Sequence, residues 1–324
     1  MTMLRPLFPK IQPFHQQMLE SGEHRIYVEQ SGNRRGIPVL YLHGGPGGGS
    51  SEDHRRYFDP QKYRIIIFDQ RGCGRSTPHA SLTNNSTWDL LEDMEEIRQA
   101  LGVKQWLVTG GSWGTTLAMA YGIKYPQHVL GFILRGIFLG TQSEVQWLYS
   151  HQGAAAIFPD YYQDFLAPMQ PHIQQEPVKA YQQLLSSDNE LGRYQAAKAW
   201  TLWEQRISTL HPNTQTIDTP EQLHAAVAMA TLENHYFIHH CFFEADYLLN
   251  HIDTISHIPA IIIHGRYDMV CQLQRAYQLQ QRWQNATLNI IPDAGHSGFE
   301  PGIINAFCQA SDKMAVFIKE QLTD

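Results

Sequence analysis

Along the first 140 residues, short apolar runs alternate with longer amphipathic stretches. Runs at 25–30, 38–43, 64–69, 106–109 and 129–134 carry Ile, Val, Leu and aromatic residues between polar or turn-forming neighbours. Brief apolar runs bounded in this way predict buried strands. Residues 88–101 instead place Leu90, Leu91, Met94, Ile97 and Leu101 at helical spacing, behind the polar starters Asn85 and Ser86; this predicts a helix with a capped start. Strands separated by helical crossovers form a mainly parallel sheet with helices on both faces.

The texture changes from about 144 to 250. This stretch is dense in Gln, His and aromatic residues, reads helical and holds no strand pattern. Strand-like runs return at 260–264 and 287–291, and an amphipathic helix is expected around 310–321. The predicted architecture is an α/β core, residues 1–143 and 251–324, interrupted by an all-helical cap, residues 144–250. No internal repeat or low-complexity linker is visible.

Composition narrows the function classes. At 324 residues and 37.1 kDa, the chain has room for one large α/β unit with an insertion. Hydrophobic residues at 43% and charged residues at 17% are those of a globular protein in water. A net charge of −7 with no basic stripe excludes a phosphate-backbone reader; it favours solubility and a weak attraction for cations. Cys73, Cys241, Cys271 and Cys308 are scattered, without a Cys-x-x-Cys pair, so neither zinc nor a disulfide framework is expected. The first ten residues lack an apolar signal core, and no run approaches the roughly 18 apolar residues of a membrane span. The expected location is cytoplasmic, with no membrane or nucleic-acid partner. Nothing in the sequence fixes an oligomeric state.

Gly110-Gly111-Ser112-Trp113-Gly114 lies between the run at 106–109 and a helix-prone stretch. Gly-x-Ser-x-Gly between strand and helix makes a nucleophile elbow, a sharp turn that exposes a serine hydroxyl. A nucleophilic serine needs a base, a group to orient the base, and donors for an oxyanion. Asp268 follows the run at 260–264, and His296 follows the run at 287–291 in a Gly-containing loop. The order Ser, Asp, His is that of α/β-hydrolases, whose sites gather at C-terminal strand ends. The oxyanion donors are expected at the backbone of Trp113 and of Gly44 or Gly45, within His43-Gly44-Gly45-Pro46-Gly47-Gly48-Gly49. That Gly-rich stretch lacks the Lys-Ser/Thr or helix-opening pattern of a nucleotide site. His235, His239 and His240 sit at helical spacing, but no carboxylate pattern accompanies them; a polar helix face is favoured over a metal site. No metal or cofactor is called for.

With these motifs, and with Phe68-Asp69-Gln70-Arg71-Gly72-Cys73-Gly74-Arg75-Ser76 and Gly265-Arg266-Tyr267-Asp268, the chain resembles the proline iminopeptidases. These α/β-hydrolase peptidases release proline from peptide N-termini. The resemblance implies that Glu204 and Glu233 in the cap bind the substrate's terminal amine. It also implies that Phe138 and Phe237 wall a pyrrolidine pocket. From the residues alone, both glutamates read as ordinary helix-surface charges. Gln272 departs from the proline common in the family, in a loop beside Asp268. The expected partners are small peptides with a free N-terminal proline. An esterase, amide or C–C hydrolase on the same fold is the alternative, and an inactive hydrolase-fold binding protein a more distant one.

Overall fold

The Ile- and Val-rich runs lie side by side in one sheet. The computed structural model describes residues 4–212, 214 and 216–323. Its eight strands are β1 (His15–Ser21), β2 (His24–Gly32), β3 (Ile37–Leu42), β4 (Tyr63–Phe68), β5 (Trp106–Ser112), β6 (Val129–Ile137), β7 (Ala260–Gly265) and β8 (Ala286–Ile291). Their order is β1-β2-β4-β3-β5-β6-β7-β8. β1 and β2 are antiparallel to their neighbours, and all remaining pairs are parallel.

Alternate residues of the central strands feed two cores, as the two-residue period of a strand requires. Leu40, Leu42, Ile66, Phe68 and Val108 join one core with helices α1 (Thr87–Ala100) and α2 (Trp113–Lys124). Val39, Tyr41, Ile65, Ile67 and Leu107 face the other core. That second core is closed by the long C-terminal helix, whose Ile303, Phe307, Ala310, Met314 and Ile318 recur at helical spacing. The α1 start is the expected one: Ser86 caps it, with Asp89 accepting from the Ser86 backbone N–H at 2.9 Å.

Two elements differ from the sequence expectation. β1 has no counterpart in it. This is a largely exposed edge strand, so no apolar alternation marks it. The C-terminal helix runs Pro301–Thr323, starting nine residues earlier than expected. Its opening Pro-Gly pair reads locally as a turn, yet proline suits the first helical position because its missing N–H has no partner there.

Between β6 and β7 the chain is helical, with no strand among the described residues. It holds α3 (Gln142–Tyr149), α4 (Pro159–Leu166), α5 (Pro177–Leu185), α6 (Glu190–Ile207), α7 (Pro220–Ile238) and α8 (Tyr247–His251). After β7 come α9 (Leu273–Arg282), β8 and α10 (Pro301–Thr323). The inserted helices own an aromatic core. Tyr149 stacks on Trp200 at 4.4 Å between ring centroids, and Phe165 stacks on Tyr181 at 4.8 Å. Such pairs add roughly 0.5–1.5 kcal/mol each beyond area burial.

β3 and β5 sit at the point where the strand order reverses, with β4 and β2 to one side and β6 to the other. Open α/β sheets bind ligands in the crevice at this switch point. The loop after β4 braces it. Arg71 there is buried and forks onto Asp93 of α1 with two 2.7 Å bonds. A buried ion pair is not a source of net stability in itself, but losing one partner strands a charge, typically at a cost of about 3–5 kcal/mol. Asp93→Ala is therefore expected to lower the unfolding free energy, read from urea titration, by an amount in that range. Glu92→Ala, at an exposed neighbouring pair, should change it by less than about 1 kcal/mol. Equal effects at both positions would contradict a bracing role for Arg71.

Candidate active site

At the end of β5 the chain turns sharply into α2. Ser112 occupies the turn with φ 56° and ψ −127°, a positive-φ conformation that a side chain adopts only when its surroundings impose it. The surroundings here are backbone. A Cβ on Gly114 would lie 2.2 Å from the Leu42 carbonyl oxygen, and one on Gly110 would lie 2.6 Å from the Gly114 oxygen. Only glycine lets β5, α2 and β3 approach so closely, and that approach sets Ser112 at the C-terminal end of the central strand β5. Thr115 Oγ1 donates to the Ser112 carbonyl at 2.8 Å and accepts from the Phe138 N–H at 3.1 Å, tying the nucleophile's turn to a pocket wall.

The Gly-rich loop after β3 lies against this turn: a Cβ on Gly44 would sit 3.2 Å from Ser112 Cβ. Gln70 holds the loop. Its backbone N–H donates to His43 Nε2 and its side-chain amide to the His43 carbonyl, both at 3.0 Å. The Trp113 indole donates to Gln70 Oε1 at 2.9 Å. One glutamine thus fixes both candidate oxyanion segments relative to each other. Since His43 Nε2 accepts, its ring proton sits on Nδ1, 3.0 Å from the Gly44 carbonyl. Burial pushes the His43 pKa down, which keeps the ring neutral. The Trp113 N–H opens α2 and so has no partner within the helix.

Asp268 and His296 meet after β7 and β8. His296 Nδ1 lies 2.8 Å from Asp268 Oδ2. Asp268 Oδ1 accepts from the Val270 and Cys271 N–H groups at 3.0 and 2.7 Å. Burial alone would raise the Asp268 carboxyl, but the charge and hydrogen bond of His296, with His264 and the Cys271 N–H, hold it below the ordinary value. The carboxylate therefore stays ionised and fixes the imidazole tautomer with its proton on Nδ1, while Nε2 lies 3.4 Å from Arg135 Nη1. The His296 backbone is clamped twice. Arg135 Nη1 donates to its carbonyl at 2.6 Å, and its N–H donates to the Ser208 carbonyl, just beyond α6, at 2.8 Å. The cap thereby holds the loop that carries the base.

Gly45, Ser112, Phe138, Leu148, Glu204, Glu233, Phe237, Val270 and Cys271 line a single small cavity between core and cap. Phe138 and Phe237 meet edge to face at 5.8 Å. Glu204 and Glu233 are buried inside, only 8% and 2% exposed. The Tyr149 hydroxyl donates to Glu204 Oε1 at 2.5 Å, and the Trp200 indole to Glu233 Oε2 at 2.6 Å. The two carboxyl groups line the same cavity with no basic side chain among its lining residues. Burial raises both, and the charge of Glu204 pushes Glu233 further, well above its ordinary 4.5. Two like charges about 4 Å apart repel by about 4 kcal/mol at a protein-like dielectric, so both ionise together only beside a cation.

Of the residues named from the sequence, Gly45, Ser112, Phe138, Glu204, Glu233 and Phe237 line this cavity, Gly44 lies against Ser112, and the Asp268–His296 pair is tied to its wall through the Val270 and Cys271 N–H groups. Cys271 joins the cavity wall; Cys73 is buried beside His43 at 3.5 Å. His235 and His239 engage the backbone carbonyls of Asn85 and His235 at 3.0 and 2.8 Å. Among the described residues, no three His, Cys, Asp or Glu side chains are grouped to hold a metal ion. The sequence does not single out the supports Gln70, Arg135, His264, Tyr149 and Trp200. The contacts of Gln70, Arg135, Tyr149 and Trp200 span tens of residues, and no local spacing announces them.

Comparison with known proteins matches the same segments. Residues 37–302 fit a family model for the alpha/beta hydrolase fold. The chain is 48% identical over 311 residues to a proline iminopeptidase of Xylella fastidiosa, covering 95% of this chain and 99% of that one. It is 46% identical over 314 residues to a proline iminopeptidase of Arabidopsis thaliana, covering 96% and 82%. Among solved structures, a proline iminopeptidase-related protein of Thermus thermophilus superposes with a TM-score of 0.59 at 22% identity, covering 95% of this chain and 98% of that one, which speaks to the fold.

The buried carboxyl pair makes a stability prediction. A carboxyl raised in the folded state binds its proton more tightly there than in the unfolded chain. Stability is then full below the ordinary carboxyl value and falls as pH climbs from 4.5 toward the raised folded value. Glu233→Gln keeps the shape and removes the charge. Its melting temperature is expected to gain on wild type as pH rises from about 5 to 8, by at least about 2 °C. A gap that stays constant with pH would contradict the raised carboxyl.

Proposed function

The chain belongs to the proline iminopeptidase family of the α/β-hydrolase fold, a serine aminopeptidase releasing N-terminal proline from peptides, and we propose the following roles for its residues. Ser112 Oγ attacks the prolyl carbonyl carbon while His296 Nε2 takes the hydroxyl proton. Asp268 holds His296 in the tautomer that can accept it and stabilises the resulting imidazolium. The carbonyl oxygen gains its negative charge against backbone N–H groups of Trp113 and the Gly44–Gly45 segment. Collapse breaks the amide bond, and the proton held on Nε2 passes to the leaving amine. Water, activated by the same nitrogen, then attacks the prolyl ester, freeing proline and restoring Ser112.

The cap, taken as residues 144–250, selects the substrate. Phe138, Leu148 and Phe237 offer the pyrrolidine ring an apolar wall, and Glu204 with Glu233 face the secondary ammonium. Charge-assisted hydrogen bonds to that nitrogen are stronger than neutral ones. An internal or acylated proline carries no such charge and leaves the buried acid pair unmatched, which excludes internal bonds. The observation that carries this reading is the placement of two buried carboxyl groups in the cavity that also holds the nucleophile. Four free, buried cysteines support a reducing, cytoplasmic compartment, and no helix of the described residues is long and apolar enough to cross a membrane.

Two measurements test the roles. Ser112→Ala is expected to lose several decades of turnover on a prolyl arylamide while its melting temperature stays near wild type; appreciable remaining activity would remove the serine mechanism. Glu204→Gln or Glu233→Gln should lower kcat/KM on the prolyl arylamide by about a hundredfold or more, and far less on a small uncharged ester. N-acetyl-prolyl arylamide should be poor with wild type and not penalised further by either change. Equal use of acetylated and free proline would favour a general amide or ester hydrolase instead.

A further inference from the structure

The Glu204–Glu233 pair poses a charge-balance problem for binding. Glu204 and Glu233 are buried together in one small cavity, and two like charges enclosed there without a cation favour keeping a proton on one of them. Their partners are neutral donors: the Tyr149 hydroxyl of α3 and the Trp200 indole of α6. Other titratable groups near the pair are Cys271 in the same cavity wall, whose thiol burial holds neutral, Cys241 just past α7, whose charge influence reaches Glu233, and His296 on the loop after β8, whose influence reaches Glu204. Burial raises Cys241 and Tyr149, so both stay neutral near pH 7. Arg135 is engaged with the His296 carbonyl. The His296 imidazole is committed through Nδ1 to Asp268 and faces Arg135 with Nε2.

Resting on the substrate reading above, we propose that in the free enzyme Glu204 and Glu233 share one proton, and that the charged prolyl nitrogen displaces it to solvent on binding. The exchange balances. Two carboxylates and one proton carry a net charge of −1, and two carboxylates and one secondary ammonium carry the same −1. The cavity changes its cation without changing its charge, so neither state buries a pair of unscreened anions. The same exchange sharpens selection: an acylated nitrogen brings no charge, so the proton must stay and the ring enters against a closed acid pair. Below the pH at which the free pair loses its proton, affinity for free-amine substrates rises with pH by up to about tenfold per unit.

Calorimetric titration of the Ser112→Ala enzyme with the dipeptide Pro-Ala, near pH 6.5, reads the exchange directly. Binding heats are compared across buffers of different ionisation enthalpy, the dipeptide amine being protonated throughout. The expected slope is about one proton released per peptide bound. In Ser112→Ala/Glu233→Gln the amide supplies the hydrogen permanently, and the slope should fall to near zero. A slope that survives there would assign the proton to another group, such as His296, and overturn the proposal. Heats equal in all buffers for the single variant would also overturn it, while leaving the substrate reading standing if N-acetyl-Pro-Ala fails to bind. Equal binding of the acetylated peptide would take down both. If the double variant binds too weakly to titrate, the pH dependence of the single variant decides: a severalfold gain in affinity between about pH 6 and 7 supports the exchange, and a flat profile overturns it.

Discussion

The close approach of three backbone segments around Ser112 is the constraint on which the rest of the site depends. The Leu42 carbonyl at the end of β3 sits where any side chain at position 114 would have to go. With glycine there, α2 starts immediately behind the nucleophile and turns its unpaired N–H groups toward the crevice. The Gly-rich loop after β3 is drawn against Ser112 by the same contact. Gln70 then locks loop and helix together through His43 and the Trp113 indole. The strained φ of Ser112 is sustained by this surrounding frame, as strained residues at functional sites generally are.

A second dependence joins cap to core. The carbonyl of Ser208, just past the C-terminus of α6, accepts from the N–H groups of both His296 and Ser297, and the Ser208 hydroxyl donates to the Glu204 carbonyl at 2.6 Å. The residue carrying the base and the residue proposed to bind the substrate's nitrogen are thus one short chain of hydrogen bonds apart. Movement of α6 would disturb recognition and proton transfer together. The buried acids oppose stability: they lie in a cap whose aromatic packing must offset the cost of holding polar groups without water.

Much of this is legible in the sequence where the signal is local. The runs at 38–43, 64–69 and 260–264 have no other stable fate than the middle of a sheet, and the elbow is recognisable because close approach demands glycine at fixed offsets from the serine. Asp268 and His296 are legible by their order and their places after strands. β1 is not, because an exposed edge strand needs no apolar face. Glu204 and Glu233 show why burial escapes sequence reasoning. Their helices carry other charged and polar residues on accessible positions, such as Arg193, Lys198 and Glu221, among which two more glutamates do not stand out, so resemblance to a family, rather than pattern, points to them. Gln70, Arg135 and Tyr149 act across 27 to 161 residues of chain, at distances where spacing carries no information.

The central claim is that a buried pair of acids recognises the charged prolyl nitrogen while Ser112 faces the adjacent carbonyl. A crystal structure of the Ser112→Ala enzyme with Pro-Ala bound tests it most directly. The prolyl nitrogen is expected within about 3 Å of carboxylate oxygens of both Glu204 and Glu233, with the prolyl carbonyl oxygen turned to the Trp113 and Gly45 N–H groups. A prolyl nitrogen directed to solvent, away from both glutamates, would contradict it.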